Sequence, residues 1–203
     1  MKIILIASQP RSGSTLLQSV LSNNNHVATT SEPWFLLPLL SMFDDQRISA
    51  YYNHKLAVRA INDFASKIGG NEIFDQAVRN FSDEIYNRFK AEDIKYFLDK
   101  TPRYYFVLPL IKRIFPDAKI IILKRNPFAV INSILGDALP TRKLRRLYMH
   151  GVDILHAPVL MQEFVEKHRN DPNVVDVRYE DIVRHPQKEF QRLYDWLELP
   201  YNK

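Results

Sequence analysis

Short apolar runs separated by helical patterns recur along most of the chain. A strand-like run over residues 2–7 is followed by a polar turn over residues 8–14 and a helical pattern over residues 15–21. Similar apolar runs predict strands over residues 96–98, 118–123 and 174–177, each followed by a helix. Strands that alternate with helices predict an α/β fold, in which helices cover both faces of a parallel sheet.

A helical region interrupts this alternation after the first strand and helix. Polar, proline-containing residues 23–33 predict a loop, and helical patterns cover residues 35–43, 54–68 and 72–89, with a break at Gly69 and Gly70. We interpret residues 35–92 as a helical insert. Two further helices are predicted over residues 142–168 and 186–197, and we expect residues 1–203 to form a single domain.

Polar motifs follow three of the predicted strands directly. They are Ser8 to Ser14, Asp99-Lys100-Thr101-Pro102 and Lys124-Arg125-Asn126-Pro127. The carboxyl ends of parallel strands meet at one edge of a sheet, and ligands of open α/β sheets bind there. The sequence therefore predicts one binding crevice that all three motifs line.

Net charge and composition limit the possible binding partners and kinds of site of this protein, but they do not identify a single partner. A net charge of +5 favours an anionic partner, which could be nucleic acid, a membrane surface or a nucleotide. The cationic cluster Arg142, Lys143, Arg145 and Arg146 is interpreted as a solvated helix face. The absence of cysteine excludes disulfides, thiolate zinc sites and a cysteine nucleophile. The apolar run at residues 3–7 is too short for a signal segment, so we expect a cytoplasmic protein.

The loop from Gln9 to Thr15 has the features of a phosphate-binding loop. It joins a strand to a helix, so backbone N–H groups and the helix dipole point towards one concavity. Gly13 lets the backbone approach an anion closely, Arg11 can bind phosphate oxygens, and Ser14 and Thr15 add hydroxyl donors. A plain serine-rich turn is the alternative interpretation.

The ATP-type loop G-x-x-x-x-G-K-[ST] fits this segment poorly. Laid over Ser8 to Thr15, it finds Ser8 in place of the first glycine and Ser14 in place of the lysine. A kinase would also need a strand-end carboxylate for Mg²⁺, for which Asp99 is the candidate. A small-molecule P-loop kinase and a non-catalytic nucleotide-binding module remain the alternative functions.

Two motifs resemble those of the sulfotransferases that use 3′-phosphoadenosine-5′-phosphosulfate (PAPS). Residues 10–17, Pro-Arg-Ser-Gly-Ser-Thr-Leu-Leu, resemble the family's 5′-phosphosulfate loop, and Arg125 with Ser133 resembles its 3′-phosphate site. The resemblance implies a three-layer P-loop fold with a central parallel sheet flanked by helices and a helical insert. It also implies a PAPS site made of Arg11, Ser12, Gly13, Ser14, Thr15, Arg125 and Ser133, with adenosine 3′,5′-bisphosphate (PAP) as product and no metal.

Catalytic roles also follow from the resemblance. Glu32 stands where the Pro-Arg-Ser-Gly enzymes have a base, Lys100 is the candidate for contacting the sulfuryl group, and Arg11 for stabilising the leaving phosphate. Glu32 could instead cap a helix, and Asp99 could pair with Lys100 or Arg103. Because some family members use a histidine base, His26 and His54 are alternatives to Glu32.

The implied function is sulfuryl transfer from PAPS to a hydroxyl or amine of a small-molecule, carbohydrate or peptide acceptor. We expect neither nucleic acid nor a membrane as partner, and the oligomeric state stays open.

Family members continue into a basic loop over the nucleotide, which we expect this chain to lack. Residues 178–181 and the last helix resemble family segments with a mostly structural role. Aromatic residues that could line the acceptor site are Trp34, Phe35, Phe43, Tyr51 and Tyr52.

Overall fold

The computed structural model describes residues 1–50, 53–136 and 140–201, without the side chains of residues 140–142. Its strands are β1 (Lys2–Ser8), β2 (Val27–Thr29), β3 (Tyr96–Lys100), β4 (Lys119–Lys124) and β5 (Val174–Arg178). Its α-helices are α1 (Ser14–Ser22), α2 (Leu36–Ser41), α3 (His54–Lys67), α4 (Asn71–Tyr86), α5 (Leu108–Ile114), α6 (Pro127–Leu135), α7 (Pro140–Lys167), α8 (Tyr179–Arg184) and α9 (Pro186–Trp196). Short 3₁₀ helices cover Asn87–Phe89 and Pro102–Phe106.

The five strands form one parallel sheet in the order β2-β3-β1-β4-β5. β1 is central, so the ends of β3 and β4 flank its carboxyl end. Ile6 of β1 pairs with Lys100 of β3, and Ser8 pairs with Leu123 of β4. The predicted α/β fold with a parallel sheet is confirmed, and the loops after β1, β3 and β4 leave from the same edge.

The hydrophobic core lies on both faces of this sheet, and β1 alternates between the two. Ile3, Leu5 and Ala7 pack in the core layer that contains α2, α4, α5 and part of α7. Ile4 and Ile6 pack in the opposite layer with α1, α8 and α9. A parallel strand buried on both faces reads as a continuous apolar run, which explains why β1 was recognisable in the sequence.

The sequence interpretation was wrong about part of the predicted loop at residues 23–33. Residues 27–29 form the edge strand β2, which pairs with β3 from Val27 to Thr29. A strand of three residues is too short to show an alternating pattern, and its conformation depends on pairing with β3. Within residues 35–92, helices α2, α3 and α4 occupy the region interpreted as an insert.

The long helix α7 contributes to the core through one side only. Ala157, Met161 and Phe164 are buried there. Of the cationic cluster, Arg145 and Arg146 are exposed and Lys143 is partly exposed, as a solvated face requires, while the Arg142 side chain lies outside the described residues. Within the described part of the chain, no helix is both long and apolar enough to cross a membrane.

Candidate functional site

A cavity of about 520 Å³ lies at the carboxyl edge of the sheet. Its lining comes from the loop after β1, the segment before α2, the 3₁₀ helix after β3, the loop after β4, and helices α6 and α7. The lining residues are Pro10, Arg11, Gly13, Ser14, Thr15, Glu32, Trp34, Pro102, Arg103, Arg125, Ser133 and His150. The structure therefore brings most of the candidate site residues to one space.

The loop after β1 has a backbone geometry that suits an anion. Gly13 immediately precedes α1 and has φ of 87°, in the left-handed region that favours glycine. No side chain caps α1, so the first N–H groups of the helix have no partner from a cap. Free N–H groups and the positive end of a helix dipole are the features by which helix starts bind anions in general, and this loop has both.

Ser12 contributes less to this loop than the sequence indicated. Its side chain is fully buried and does not line the cavity. Its backbone N–H donates to the Gln9 carbonyl oxygen at 3.2 Å, which closes the turn. Ser12 is part of the PAPS site that the family resemblance implies, but in this structure its N–H group is engaged within the turn.

The two predicted phosphate sites meet at the side chains of Arg11 and Arg125. Arg11 Nε donates to Ser133 Oγ at 3.2 Å, and Arg125 Nη1 donates to the Arg11 carbonyl oxygen at 2.9 Å. Arg11 has φ of 70°, a left-handed conformation that costs a non-glycine residue about 1 kcal/mol. Neither arginine pairs with a carboxylate within the described chain, so both remain open to an anion.

Tyr179 was interpreted as part of a mostly structural segment, but it lies at the site. A Cβ atom added to Gly13 would approach the Tyr179 ring to 2.4 Å, so only glycine fits beneath this ring. The Arg125 guanidinium carbon lies 4.4 Å from the Tyr179 ring centroid, within cation–π range. Tyr179 thus packs against the loop backbone at Gly13 and against the Arg125 side chain. Its position at the start of α8 in the sequence did not indicate either contact.

The acceptor side of the cavity is centred on an ion pair between Glu32 and Lys100. Lys100 Nζ lies 2.6 Å from Glu32 Oε1, and the Trp34 indole N–H donates to Glu32 Oε2 at 3.0 Å. The Lys100 side chain is only 5% exposed, whereas that of Glu32 is 33% exposed. Lys100 therefore approaches the cavity from behind Glu32 and does not itself line it.

The helix-cap interpretation of Glu32 does not hold. The N-cap residue of α2 is Phe35, and no side chain caps that helix. Both oxygens of the Glu32 carboxylate accept hydrogen bonds from side chains instead. Trp34, which holds one of these oxygens, has φ of 62°, so a strained residue stands on this side of the cavity as Arg11 does on the other.

Asp99 is enclosed behind the site, and neither Lys100 nor Arg103 pairs with it. The side chain is fully buried and accepts hydrogen bonds from Tyr86 at 2.6 Å, Tyr104 at 2.8 Å and Thr101 at 3.2 Å. Burial raises the pKa of Asp99 to about 6, although these hydrogen bonds work against the rise. Such a carboxyl group holds the end of β3 in place and has no open face for a metal ion.

A second carboxylate, Asp153 of α7, is the centre of a cluster of polar side chains that could not be predicted from the sequence. Asp153 is 1% exposed and accepts two hydrogen bonds from Arg103, at 3.0 and 2.8 Å, and one from Tyr105 at 2.6 Å. Burial acts to raise its pKa, but these bonds outweigh burial and lower the pKa below its usual value. His150 Nδ1 lies 3.5 Å from the same carboxylate. These residues come from separate segments, so no local motif marked them.

The two histidines proposed as alternative bases lie away from the cavity. His26 precedes β2 at the opposite edge of the sheet, with Nδ1 2.7 Å from the Asp93 carbonyl oxygen. His54 is buried, with Nε2 2.9 Å from the Asp44 carbonyl oxygen. The histidine that lines the cavity is His150.

Among the aromatic candidates for the acceptor site, Trp34 lines the cavity. Phe35 and Phe43 pack against the core instead. Tyr51 and Tyr52 lie outside the described residues. The acceptor side is therefore only partly aromatic, and its described lining also includes Pro102 and the polar or charged residues Glu32, Arg103 and His150.

The sequence and the fold match those of a known protein family. The model of the sulfotransferase family matches residues 4–203, and the chain belongs to that family. It is similar to the nodulation protein NoeE of Sinorhizobium fredii, with 27% identity over 94% of this chain and 48% of that protein. It is also similar to protein-tyrosine sulfotransferase 1 of Danio rerio, with 25% identity over 100% of this chain and 54% of that protein. The chain thus spans about half the length of these relatives.

Solved structures show the same fold at low sequence identity. A sulfotransferase from Alicyclobacillus acidocaldarius matches with a TM-score of 0.62 and 14% identity, over 98% of this chain and 82% of that one. The sulfotransferase domain of the Synechococcus PCC 7002 olefin synthase matches with a TM-score of 0.61 and 21% identity, over 99% and 74%. Mouse sulfotransferase SULT7A1, solved in complex with PAP, matches with a TM-score of 0.56 and 17% identity, over 100% and 60%.

Proposed function

We propose that this chain transfers a sulfuryl group from PAPS to a hydroxyl or amine acceptor. The observation that carries the proposal is the arrangement of charges in one cavity. Two arginines that pair with no carboxylate of the described residues stand at its phosphate end, and a carboxylate paired with a lysine stands at its acceptor end. Membership of the sulfotransferase family and the PAP complex of a structural neighbour support the same reaction.

The residues at the phosphate end fit a nucleotide with two separate phosphate groups. The loop at Gly13, Ser14 and Thr15 would hold the 5′-phosphosulfate through backbone and hydroxyl donors. Arg125 and Ser133 would hold the 3′-phosphate, and Arg11, whose side chain already contacts Ser133, stands between the two groups. The donors at this end are cationic or neutral, as recognition of a dianion requires.

The Glu32–Lys100 ion pair gives both residues a role in the reaction. An incoming sulfuryl group competes with Glu32 for the Lys100 ammonium group, since both offer anionic oxygens. When Lys100 turns to the sulfuryl oxygens, it neutralises their charge, and Glu32 loses its strongest hydrogen-bond donor. The freed carboxylate is then a better proton acceptor, so donor binding prepares the base.

The transfer step itself is an in-line displacement at sulfur. Glu32 takes the proton of the acceptor hydroxyl or amine while the acceptor atom forms its bond to sulfur. The bond between sulfur and the bridging phosphate oxygen breaks, and PAP leaves with the electron pair. Arg11 and the loop amides stabilise the charge that develops on that phosphate. The residues act by positioning and charge stabilisation, as in phosphoryl transfer.

The acceptor class follows from the surroundings of Glu32. Trp34 and Pro102 offer apolar surface next to the Glu32 carboxylate, and Arg103 and His150 offer polar contacts beyond it. This mixture suits an acceptor that carries both a hydroxyl or amine and an apolar body. A small molecule, a carbohydrate or a peptide side chain meets this description, and the name of the Danio rerio relative includes protein tyrosine.

The kinase alternative loses support from the position of Asp99. That residue was the candidate for holding Mg²⁺, and its carboxyl group is enclosed by Tyr86, Tyr104 and Thr101. The other alternative, a nucleotide-binding module without catalysis, would bind the same nucleotide but would not transfer the sulfuryl group. The cavity contains a candidate base as well as a phosphate site, and this combination favours the enzyme.

Transfer from ³⁵S-labelled PAPS to a panel of phenols, alcohols, amines, sugars and tyrosine peptides tests the proposed function. We expect PAP release coupled to labelled product, with no dependence on Mg²⁺. A parallel thermal-shift series with PAP, ADP, ATP and NAD should show stabilisation by PAP above the others, by about 2.7 kcal/mol at 100 times its Kd. Selective stabilisation by Mg²⁺-ATP would indicate the kinase, and PAP binding without transfer to any acceptor would indicate the binding module.

A further inference from the structure

Helix α7 is apolar on two opposite faces, which is unusual for a helix with one exposed side. One face carries Ala157, Met161 and Phe164 into the core. The other carries exposed apolar side chains, which we call the outer stripe: Leu144 (71% exposed), Tyr148 (89%), Val152 (54%), Leu155 (70%) and Val159 (54%). A helix that is hydrophobic on all sides is normally buried on all sides.

The outer stripe has the spacing of a helix–helix interface. At about 100° per residue its five members fall within about 80° of arc, on the side opposite the core face. The steps from Tyr148 to Val152, Leu155 and Val159 are four, three and four residues, the pattern of a and d positions in a coiled coil. This order of steps is the same in both directions, so the stripe is complementary to an antiparallel copy of itself.

Charges at the edge of the outer stripe repeat the same symmetry. Arg145 and Glu163 are both exposed, and the 18 residue steps from one to the other make five full turns, so they lie on the same edge. Neither forms an ion pair within the described chain. In an antiparallel pair of α7 helices, Arg145 of one copy would face Glu163 of the other. The midpoint between Arg145 and Glu163 falls at Ile154, and the midpoint of the four apolar residues falls between Asp153 and Ile154. A single two-fold axis at this position therefore relates both the charges and the apolar residues.

From this coincidence we infer that two copies of this chain associate through their α7 helices in antiparallel orientation. The outer stripes form the apolar centre of the interface, and two Arg145–Glu163 pairs flank it. In such an isologous interface both copies use the same surface, so the outer stripe of each copy is covered by the other. The assembly is then complete as a dimer, with no further copy able to add through this surface. The inference is independent of the proposed reaction, because none of the interface residues lines the cavity.

Sedimentation equilibrium of the 203-residue chain, from about 1 to 100 μM, tests the inference. The wild type should be a dimer, and Leu155→Glu should weaken dimerisation by at least about 30-fold, because two charges would enter the apolar centre. Leu56→Glu is the matched control, since Leu56 is 61% exposed on α3 and outside the stripe. A monomeric wild type would overturn the inference, as would a dimer that Leu155→Glu leaves unchanged.

A charge exchange distinguishes the antiparallel dimer from other uses of the stripe. Arg145→Glu and Glu163→Arg should each weaken the dimer several-fold, and the double variant should restore it, because the exchanged charges again face each other. These surface changes also keep the test valid if Leu155→Glu fails to fold. Additive losses in the double variant would mean that the two residues do not meet, and would overturn the antiparallel arrangement.

Discussion

The phosphate end and the acceptor end of the cavity differ in how their cationic side chains are paired. At the phosphate end, the recorded polar and ring contacts of Arg11 and Arg125 with the described residues are to a hydroxyl, a carbonyl oxygen and an aromatic ring, and none is to a carboxylate. At the acceptor end, each described cation already has a carboxylate partner: Lys100 pairs with Glu32, and Arg103 pairs with Asp153. One end is thus ready to receive an anion, whereas the other must exchange an internal partner for the substrate.

This difference divides binding from catalysis. Open cations bind an anionic nucleotide without breaking any existing ion pair, so the phosphate end should determine affinity. The Lys100 side chain is almost fully buried, so separating it from Glu32 without supplying another anion would leave a buried charge unpaired. Variants at the two ends should therefore separate nucleotide affinity from turnover.

The largest effect is expected at the acceptor end, from Glu32→Gln. Glutamine keeps the shape and one hydrogen-bond acceptor but has little basicity, so turnover of PAPS should fall by about 10²–10⁴-fold. The affinity for PAP should change little, because Glu32 does not contact the phosphate loop. Steady-state kinetics with an acceptor identified in the proposed panel, together with calorimetric titration of PAP, measures both quantities.

Glu92→Gln is the control for this variant, because Glu92 is exposed and lies before β3, at the opposite edge of the sheet. Its turnover should equal that of the wild type. Near-normal turnover in Glu32→Gln would exclude Glu32 as the base. The next residue to replace would be His150, which lines the cavity, and not His26 or His54.

A smaller effect, confined to affinity, is expected at the phosphate end from Arg125→Ala. A hydrogen bond to a charged group contributes about 1.5–3 kcal/mol, so the preference for PAP over 5′-AMP should shrink by about 10- to 100-fold. Arg59→Ala, at an exposed position on α3, is the matched control. Competition titrations with the two nucleotides give the ratio, and an unchanged ratio would remove Arg125 from the 3′-phosphate site.

The smallest effect concerns Asp99, which belongs to neither end. Because burial raises its pKa from 3.8 to about 6, the folded protein retains a proton that the unfolded chain releases between these pH values. Its contribution to stability is therefore present at low pH and is lost as the pH rises through this window. The free energy of unfolding, relative to Asp99→Asn, should fall by at most about 1.4 kcal/mol for each pH unit.

Urea unfolding of the wild type and Asp99→Asn at pH 4, 5, 6 and 7 measures this difference. The exposed Asp93→Asn variant is the control, and its profile should run parallel to that of the wild type. If the Asp99→Asn profile is parallel too, Asp99 titrates at its ordinary pKa. The hydrogen bonds from Tyr86 and Tyr104 would then fully offset the effect of burial on this pKa.

The same contrast between the two ends explains what could be predicted from the sequence. The phosphate loop was recognisable because its chemistry is local: a strand, Gly13 and the first turn of α1 are contiguous in the chain. Arg125 and Ser133 were identified through family resemblance, and both line the cavity. The parallel sheet was predictable because its buried strands are short continuous apolar runs.

The acceptor end could be predicted only in part, because three distant segments build it. Glu32 and Lys100 were identified through family resemblance, but nothing local indicated that they pair across 68 residues. Asp153 and His150 lie in the middle of a long helix, where the sequence pattern shows only polar positions. Tyr179 looked structural because its contacts with Gly13 and Arg125 depend on the placement of the start of α8 beside the loop after β1. Long-range packing decides all of these positions.

Calorimetric titration of the wild-type chain with PAP and with 5′-AMP tests the central claim most directly. The claim is that the cavity binds a nucleotide through two separate phosphate sites, one at the loop after β1 and one at Arg125 and Ser133. PAP differs from 5′-AMP only by the 3′-phosphate, so the account predicts that PAP binds at least about 10-fold more tightly. Equal affinities for the two nucleotides would contradict it, because the second phosphate site would then not exist.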